Sequence, residues 1–331
     1  MSTAAAPDTT TVLRPAEASA RVRAVVDEVT QVIVGKDSSV EQVMLGVLAG
    51  GHVLLEDLPG LGKTMLARTF ATALGLSFSR VQFTPDLLPQ DITGASVFDP
   101  ARQTFEFREG PVFTQVLLAD EVNRTPPKTQ AALLEAMAEH QVSADGVTHA
   151  LPEPFVVLAT QNPIEFEGTY ALPEAQLDRF SLRVSMGYLT PAGEREMVTR
   201  RLARGQADPR VSRVTDTAEV LAMIESLEQV DVHEDVLDYA VRIVDATRHE
   251  SKLSVGASPR GTLSLIQLAR GHAMLRDRDY VVPEDVQAIA VAALGHRVVV
   301  KPELWVRQVG GSDVVAEVLT RVPVPAVRPG A

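Results

Sequence analysis

The sequence predicts an α/β protein, with a parallel sheet covered by helices over residues 18–189 and an all-helical domain over residues 190–321. Three observations predict it. Five short apolar runs, "HVLLE", "SRVQF", "VLLAD", "FVVLAT" and "FSLRV", alternate with helical periods in the first stretch. Strands interleaved with helices favour parallel pairing with both faces of the sheet covered. The first run passes through a glycine-rich turn into a helix-forming run, "DLPGLGKTMLARTFATAL". From "TPAGERE" onward strand-like runs nearly vanish, and helical periods dominate in "DVLDYAVRIVDATRH", "RGTLSLIQLARGHAML" and "PEDVQAIAVAAL".

The chain opens on residues 1–17, rich in Ala, Thr and Pro, and closes on "VPVPAVRPGA", residues 322–331, where repeated prolines cannot continue a helix. Both ends read as loose tails. The N-terminus lacks the basic start and apolar stretch of a secretory signal, and no run approaches the roughly 18 apolar residues of a membrane span. The sequence has no cysteine, which excludes disulfides, thiolate metal sites and a cysteine nucleophile and suits a reducing cytoplasm. Lys and Arg total 31 against 43 Asp and Glu, a formal charge of -12 that disfavours unaided attraction to nucleic acid or anionic lipid. The 7 histidines are scattered without metal-ligand spacing.

"HVLLEDLPGLGKT" departs from the phosphate-loop pattern GxxxxGK[ST] at one position, where Asp57 replaces glycine. Its context, strand then turn then helix, is that of a phosphate loop. Gly60 and Gly62 let the backbone approach phosphate oxygens, and the amides opening the next helix face an anion. Lys63 would neutralise the β- and γ-phosphates of ATP, and the Thr64 hydroxyl would take a place on Mg²⁺. Asp57, Leu58, Pro59, Gly60, Leu61, Gly62, Lys63, Thr64 and Met65 together form the expected cradle. A carboxylate about 8 Å from a phosphate costs roughly 2 kcal/mol at an effective dielectric of 20, so Asp57 is expected to turn away and Asp57→Gly to be mild.

"QVLLADEVNR" is an apolar strand ending in two carboxylates. Asp120 would hold Mg²⁺ through its water shell, and Glu121 would orient and deprotonate an attacking water. The alternative is an acidic N-cap for the helix "PPKTQAALLEAM". A second acid directly after the metal aspartate suits hydrolysis better than phosphoryl transfer to a small molecule. "FVVLATQNP" ends in Asn162, whose amide either places that water or caps a turn. Residues 93–113, with "DPAR", and residues 140–151, with "ADG", read as two β-hairpins.

Four long segments, "LLEDLPGLGKT", "LLADEVNRTPPKTQAALLEAM", "LATQNPIEFEGTYALPEAQLDRF" and "GASPRGTLSLIQLARGHAML", occur in one register. In these the chain resembles the MoxR family of AAA+ ATPases, related to magnesium chelatase and the MCM helicases, over roughly residues 20–320. The resemblance implies an ATPase core and helical lid, with ATP between them and between subunits of a homo-oligomeric ring, a hexamer. It makes Asp57 a family variant. Asn162 matches sensor 1, Arg260 in "SPRG" the sensor 2 arginine, and Arg179 in "LDRF" the arginine finger given to the next subunit. Val34 and Gly35 in "VIVGKD" match contacts to the adenine. The family's work implies a chaperone-like role on protein clients, with a von Willebrand factor A domain protein as partner and the hairpins as levers on substrate. A nucleic-acid motor and a nucleotide-gated switch with little turnover are the alternatives.

Overall fold

A computed structural model of the chain describes residues 13–162, 168–206 and 209–325. Residues 1–12 and 326–331 of the expected tails lie outside the described residues, as do residues 163–167 of the third family segment. Residues 15–17, assigned from composition to the tail, instead open the first helix, with Pro15 in the first turn where a missing N–H costs nothing.

Helices α1 (Pro15–Val32) and α2 (Asp37–Leu48) precede strand β1 (His52–Glu56) and helix α3 (Lys63–Leu74). Strand β2 (Phe78–Gln82) and the short α4 (Pro89–Thr93) lead to a hairpin of β3 (Gly94–Asp99) and β4 (Thr104–Glu109). Strand β5 (Val116–Asp120) and α5 (Pro127–Glu139) lead to a second hairpin of β6 (Gln141–Ala144) and β7 (Val147–Ala150). Then come β8 (Val156–Gln161), α6 (Glu174–Leu177) and β9 (Phe180–Val184). The remainder comprises α7 (Pro191–Arg204), α8 (Thr217–Ser226), α9 (Glu234–Arg248), β10 (Leu253–Val255), α10 (Pro259–Leu275), α11 (Pro283–Leu294), β11 (Val299–Val300) and α12 (Gly311–Arg321).

The five apolar runs form one five-stranded sheet in the order β2-β5-β8-β1-β9, every pair parallel. Alternation along the strands sorts their side chains between two cores. Val53, Leu55, Leu118 and Leu158 join the larger core beneath α1, α2 and α3, while Leu54, Leu117, Val157 and Ala159 join a smaller one on the α5 side. The larger core does not stop near residue 190. It continues through Val220, Tyr239, Leu265 and Ile289. Gly271 lets α10 lie against α2, where Leu45 Cδ2 is 3.0 Å from the position of an added β-carbon. The helical region is not wholly helical: β10 and β11 pair antiparallel, the second drawn from the β-branched run Val298–Val300. Among the described residues no helix is long and apolar enough to cross a membrane.

Both expected hairpins are present. Asp145 and Gly146 have φ of 51° and 79°, the left-handed pair that a tight hairpin turn requires. The hairpins are stacked on one another through Phe107 and His149, whose rings lie 3.9 Å apart at 16°.

Two histidines are buried without charge. His52 Nδ1 accepts from the Val157 amide at 3.1 Å and Nε2 donates to the Met137 carbonyl at 3.0 Å. Burial pushes its pKa down to about 4. Burial, together with the Arg297 charge, pushes His296 down to about 3. The unfolded chain takes up these protons below its ordinary histidine pKa near 6.5 and the folded chain does not, so folded stability is present above that pH and falls as pH drops toward 4. Each histidine should cost about 2 kcal/mol at pH 5, before carboxylates titrate. Denaturant midpoints measured from pH 8 to 5 should fall below pH 6.5, and His52→Gln should halve the slope. A flat profile would show that these rings are not neutral and buried in solution.

Candidate nucleotide site

Parallel pairing aligns the ends of all the strands along one edge of the sheet, where the phosphate loop follows β1, Asp120 ends β5 and Asn162 follows β8. Gly60 and Gly62 have φ of 81° and 86°, which L side chains rarely adopt, and a β-carbon at either would meet nothing within 4 Å. They border open space that an anion can fill. Gly62 caps α3, whose first residues are Lys63, Thr64 and Met65. Leu58 is half-buried and Pro59 exposed in the same turn.

Lys63 Nζ donates to the Asp57 carbonyl at 2.8 Å. Burial lowers its pKa, opposed by the charges of Asp57, Asp120 and Glu121. The Asp57 carboxylate turns away from the loop, as its charge requires. It accepts from Ser185 Oγ at 2.9 Å, from the Gly187 amide at 3.1 Å and from the Met186 amide. The mild outcome expected for Asp57→Gly needs correction, because glycine would remove all three bonds from a buried group and leave the Met186 and Gly187 amides unpaired, at about 1–3 kcal/mol for each one left buried.

Asp120 and Glu121 are tied together by Thr160. Its hydroxyl donates to Asp120 Oδ1 at 2.6 Å and accepts from the Glu121 amide at 2.8 Å. That second bond helps hold Glu121 at a φ of 59°, a left-handed conformation that costs a non-glycine residue about 1–2 kcal/mol. Glu121 Oε2 accepts from Gln82 at 2.8 Å and pairs with Arg124 at 3.2 Å. Glu121 is not the cap of the helix "PPKTQAALLEAM", whose N-cap is Pro126; it stands instead before a single 3-10 turn, Val122–Arg124. Asp120 Oδ2 accepts from Arg80 Nη2 at 2.7 Å and Nε at 3.2 Å. With Thr160 on Oδ1, little acceptor capacity is left, which fits contact through a hydrated cation's water shell better than direct ligation. Asn162 is buried, and its backbone carbonyl accepts from Asn123 Nδ2 at 3.4 Å.

These groups surround a polar cavity of about 410 Å³ that includes Gly60, Lys63, Thr64, Asp120, Glu121 and Asn162. A second, mainly apolar cavity of about 400 Å³ is lined by Val34, Leu61, Met65, Met186, Leu189 and Met197, among others. Gly62 borders both. Gly35 (φ 68°) brings its backbone to Leu189, whose Cδ2 would stand 3.2 Å from an added β-carbon. A polar and an apolar chamber meeting at the loop match the two halves of a nucleotide. Among the described residues no cluster of three or more His, Asp or Glu could hold a metal.

The sequence model of the ATPase family associated with various cellular activities (AAA) matches residues 52–182, and that of the AAA lid domain matches residues 245–318. The YeaC protein of Bacillus subtilis (strain 168) is 42% identical over 92% of this chain and 94% of its own. Chaperone MoxR1 of Mycobacterium tuberculosis (strain H37Rv) is 44% identical over 91% of this chain and 81% of its own. The chain belongs to the MoxR family of AAA ATPases. A crystal structure from Cytophaga hutchinsonii superposes on this MoxR chain with a TM-score of 0.86 at 37% identity, covering 94% of this chain and 97% of that one.

The two arginines assigned by resemblance stand elsewhere in the MoxR chain. Arg179 immediately precedes β9, which runs parallel to β1 with His52 opposite Phe180. It therefore lies at the edge where strands begin, a five-residue strand (roughly 16 Å) from the edge where the loop begins. Its guanidinium donates to the Leu134 carbonyl. Arg260, exposed in the first turn of α10, is at the same edge: Ser258 Oγ donates to Asp178 at 2.9 Å, and Arg297 pairs with Asp178 at 3.3 Å. Arg260 does not border the polar cavity of its own chain, whereas α7 of the second stretch does line the apolar one, through Met197.

Sequence reasoning missed Arg80, Gln82, Thr160 and Arg124. A weak signal existed in "SRVQF", where two polar residues at i and i+2 interrupt an apolar strand and therefore share a face. Their partners sit on the neighbouring strand, with Gln82 opposite Asp120.

Proposed function

We propose that the chain is a Mg²⁺-dependent ATP hydrolase that works as a homo-oligomeric ring, a hexamer, each site being completed by its neighbour, and that turnover remodels a protein client. The observation that carries this reading is the pair of chambers meeting at Gly62, with Lys63 and the Asp120–Glu121 pair in the polar one. When bound, Mg²⁺ would supply charge neutralisation at the phosphates, near Thr64 and Asp120. Lys63 would leave the Asp57 carbonyl for the β- and γ-phosphates. Glu121 would accept the proton of a water that Asn162 helps to place, and Val34 and Gly35 would flank the base. Arg179 and Arg260, both at the opposite edge, would meet the phosphates of the adjoining subunit. The chaperone name of the MoxR1 relative supports a protein client; a von Willebrand factor A domain partner and a cytoplasmic setting rest on the resemblance and on composition.

Lys63→Ala tests this reading. ATP affinity should fall by about a hundredfold, near 2.7 kcal/mol, with turnover lost and the melting transition retained. Unchanged ATP affinity in the folded variant would remove the phosphate role of the loop.

A further inference from the structure

The segment from Ser185 to Leu189, between β9 and α7, is gripped from two sides by opposite charges. On one side the Asp57 carboxylate takes the Ser185 hydroxyl and the amides of Met186 and Gly187. On the other, Lys36 Nζ donates to the carbonyls of Met186, Gly187 and Tyr188 at 2.6, 2.9 and 2.8 Å. A carboxylate thus takes three of the segment's donors and an ammonium three of its acceptors, which fixes a stretch of backbone that no helix or sheet ladder holds. The same segment contributes Met186 and Leu189 to the wall of the apolar chamber, and Lys36 lines that chamber too. Gly35, next to Lys36, abuts Leu189.

We propose that Asp57 and Lys36 are positioning residues for the nucleotide base: their clamp sets the wall against which the base packs. This explains why an aspartate stands where the phosphate-loop pattern has glycine. Its backbone carbonyl holds Lys63 on the phosphate side, and its side chain holds the base side. The inference rests on the proposed reading of the two chambers as a nucleotide site.

The test separates base from phosphate. Binding of ATP and of inorganic tripolyphosphate, which has no base, is measured on the full chain carrying Asp57→Asn, Lys36→Met or Lys36→Arg. Asp57→Asn and Lys36→Met should each lose about tenfold or more in ATP affinity while tripolyphosphate affinity stays within about twofold. Lys36→Arg, which keeps a cation but not the compact three-way donor, should retain part of the lost affinity. Lys63→Ala should show a different pattern, losing both ligands. Equal losses of ATP and tripolyphosphate in the clamp variants would mean simple distortion of the loop and would overturn the inference, as would unchanged ATP affinity. Should Asp57→Asn fail to fold, the more exposed Lys36 variants decide alone. A wild-type chain that binds neither ligand would overturn the nucleotide reading itself.

Discussion

Arg179→Ala should bind ATP nearly as the wild type does and hydrolyse it about 10³-fold more slowly or worse, the effect expected of an arginine supplied across a subunit boundary. Arg179 lies at the edge of the sheet opposite its own phosphate loop. Its own loop, Lys63 and Glu121 are untouched by the change, and what the fold loses is one bond from a charged guanidinium to the Leu134 carbonyl, worth about 1.5–3 kcal/mol. Mixing gives the sharper measurement. Arg179→Ala and Lys63→Ala should each be inactive alone. In a mixed ring, an intact loop from the first can face an intact arginine from the second, so hydrolysis should return. Because Arg260 stands at the same edge, Arg260→Ala should complement Lys63→Ala in the same way but should not complement Arg179→Ala. If subunits demonstrably exchange and no ratio restores hydrolysis, the shared site is wrong and Arg179 is an internal structural arginine.

Glu121→Gln should keep ATP bound while hydrolysis falls by about 10² or more, since glutamine preserves size but cannot take a proton from water. The substitution leaves intact the amide bond to Thr160 that holds this residue's left-handed backbone, and a glutamine oxygen can still accept from Gln82. What is lost is the charge, including the pairing with Arg124. Single-turnover hydrolysis and nucleotide affinity, measured on one preparation, separate the two effects. Near-normal turnover would move the base elsewhere.

How far all this could be read beforehand follows the range of each interaction. Strands β1, β5 and β8 were legible because a parallel strand buried on both faces is apolar along nearly its whole length, whereas the edge strands β2 and β9 carry polar residues among their apolar ones. The phosphate loop was legible because its glycines, lysine and threonine act within a few residues of one another. Charge alone told that Asp57 turns away, but not that it turns to Ser185–Gly187, more than a hundred residues on. Arg80 and Thr160 acquire their roles only when β2, β5 and β8 lie side by side, and strand order is not a local property. The opposite placement of Arg260 came from tertiary docking through Asp178, Ser258 and Arg297, which no pattern within α10 announces.

The core that runs unbroken from beneath the sheet into α8–α11 has a mechanical meaning. Two bodies can swing on a hinge only if the surface between them tolerates water, and here such a swing would strip Leu45 from α10 and hydrate a continuous apolar mass. The sheet and the helices behind it therefore form one cooperative unit. In the proposed ring, strain generated at a phosphate would be relieved at the outer seams of each subunit, by a rotation of whole subunits against each other.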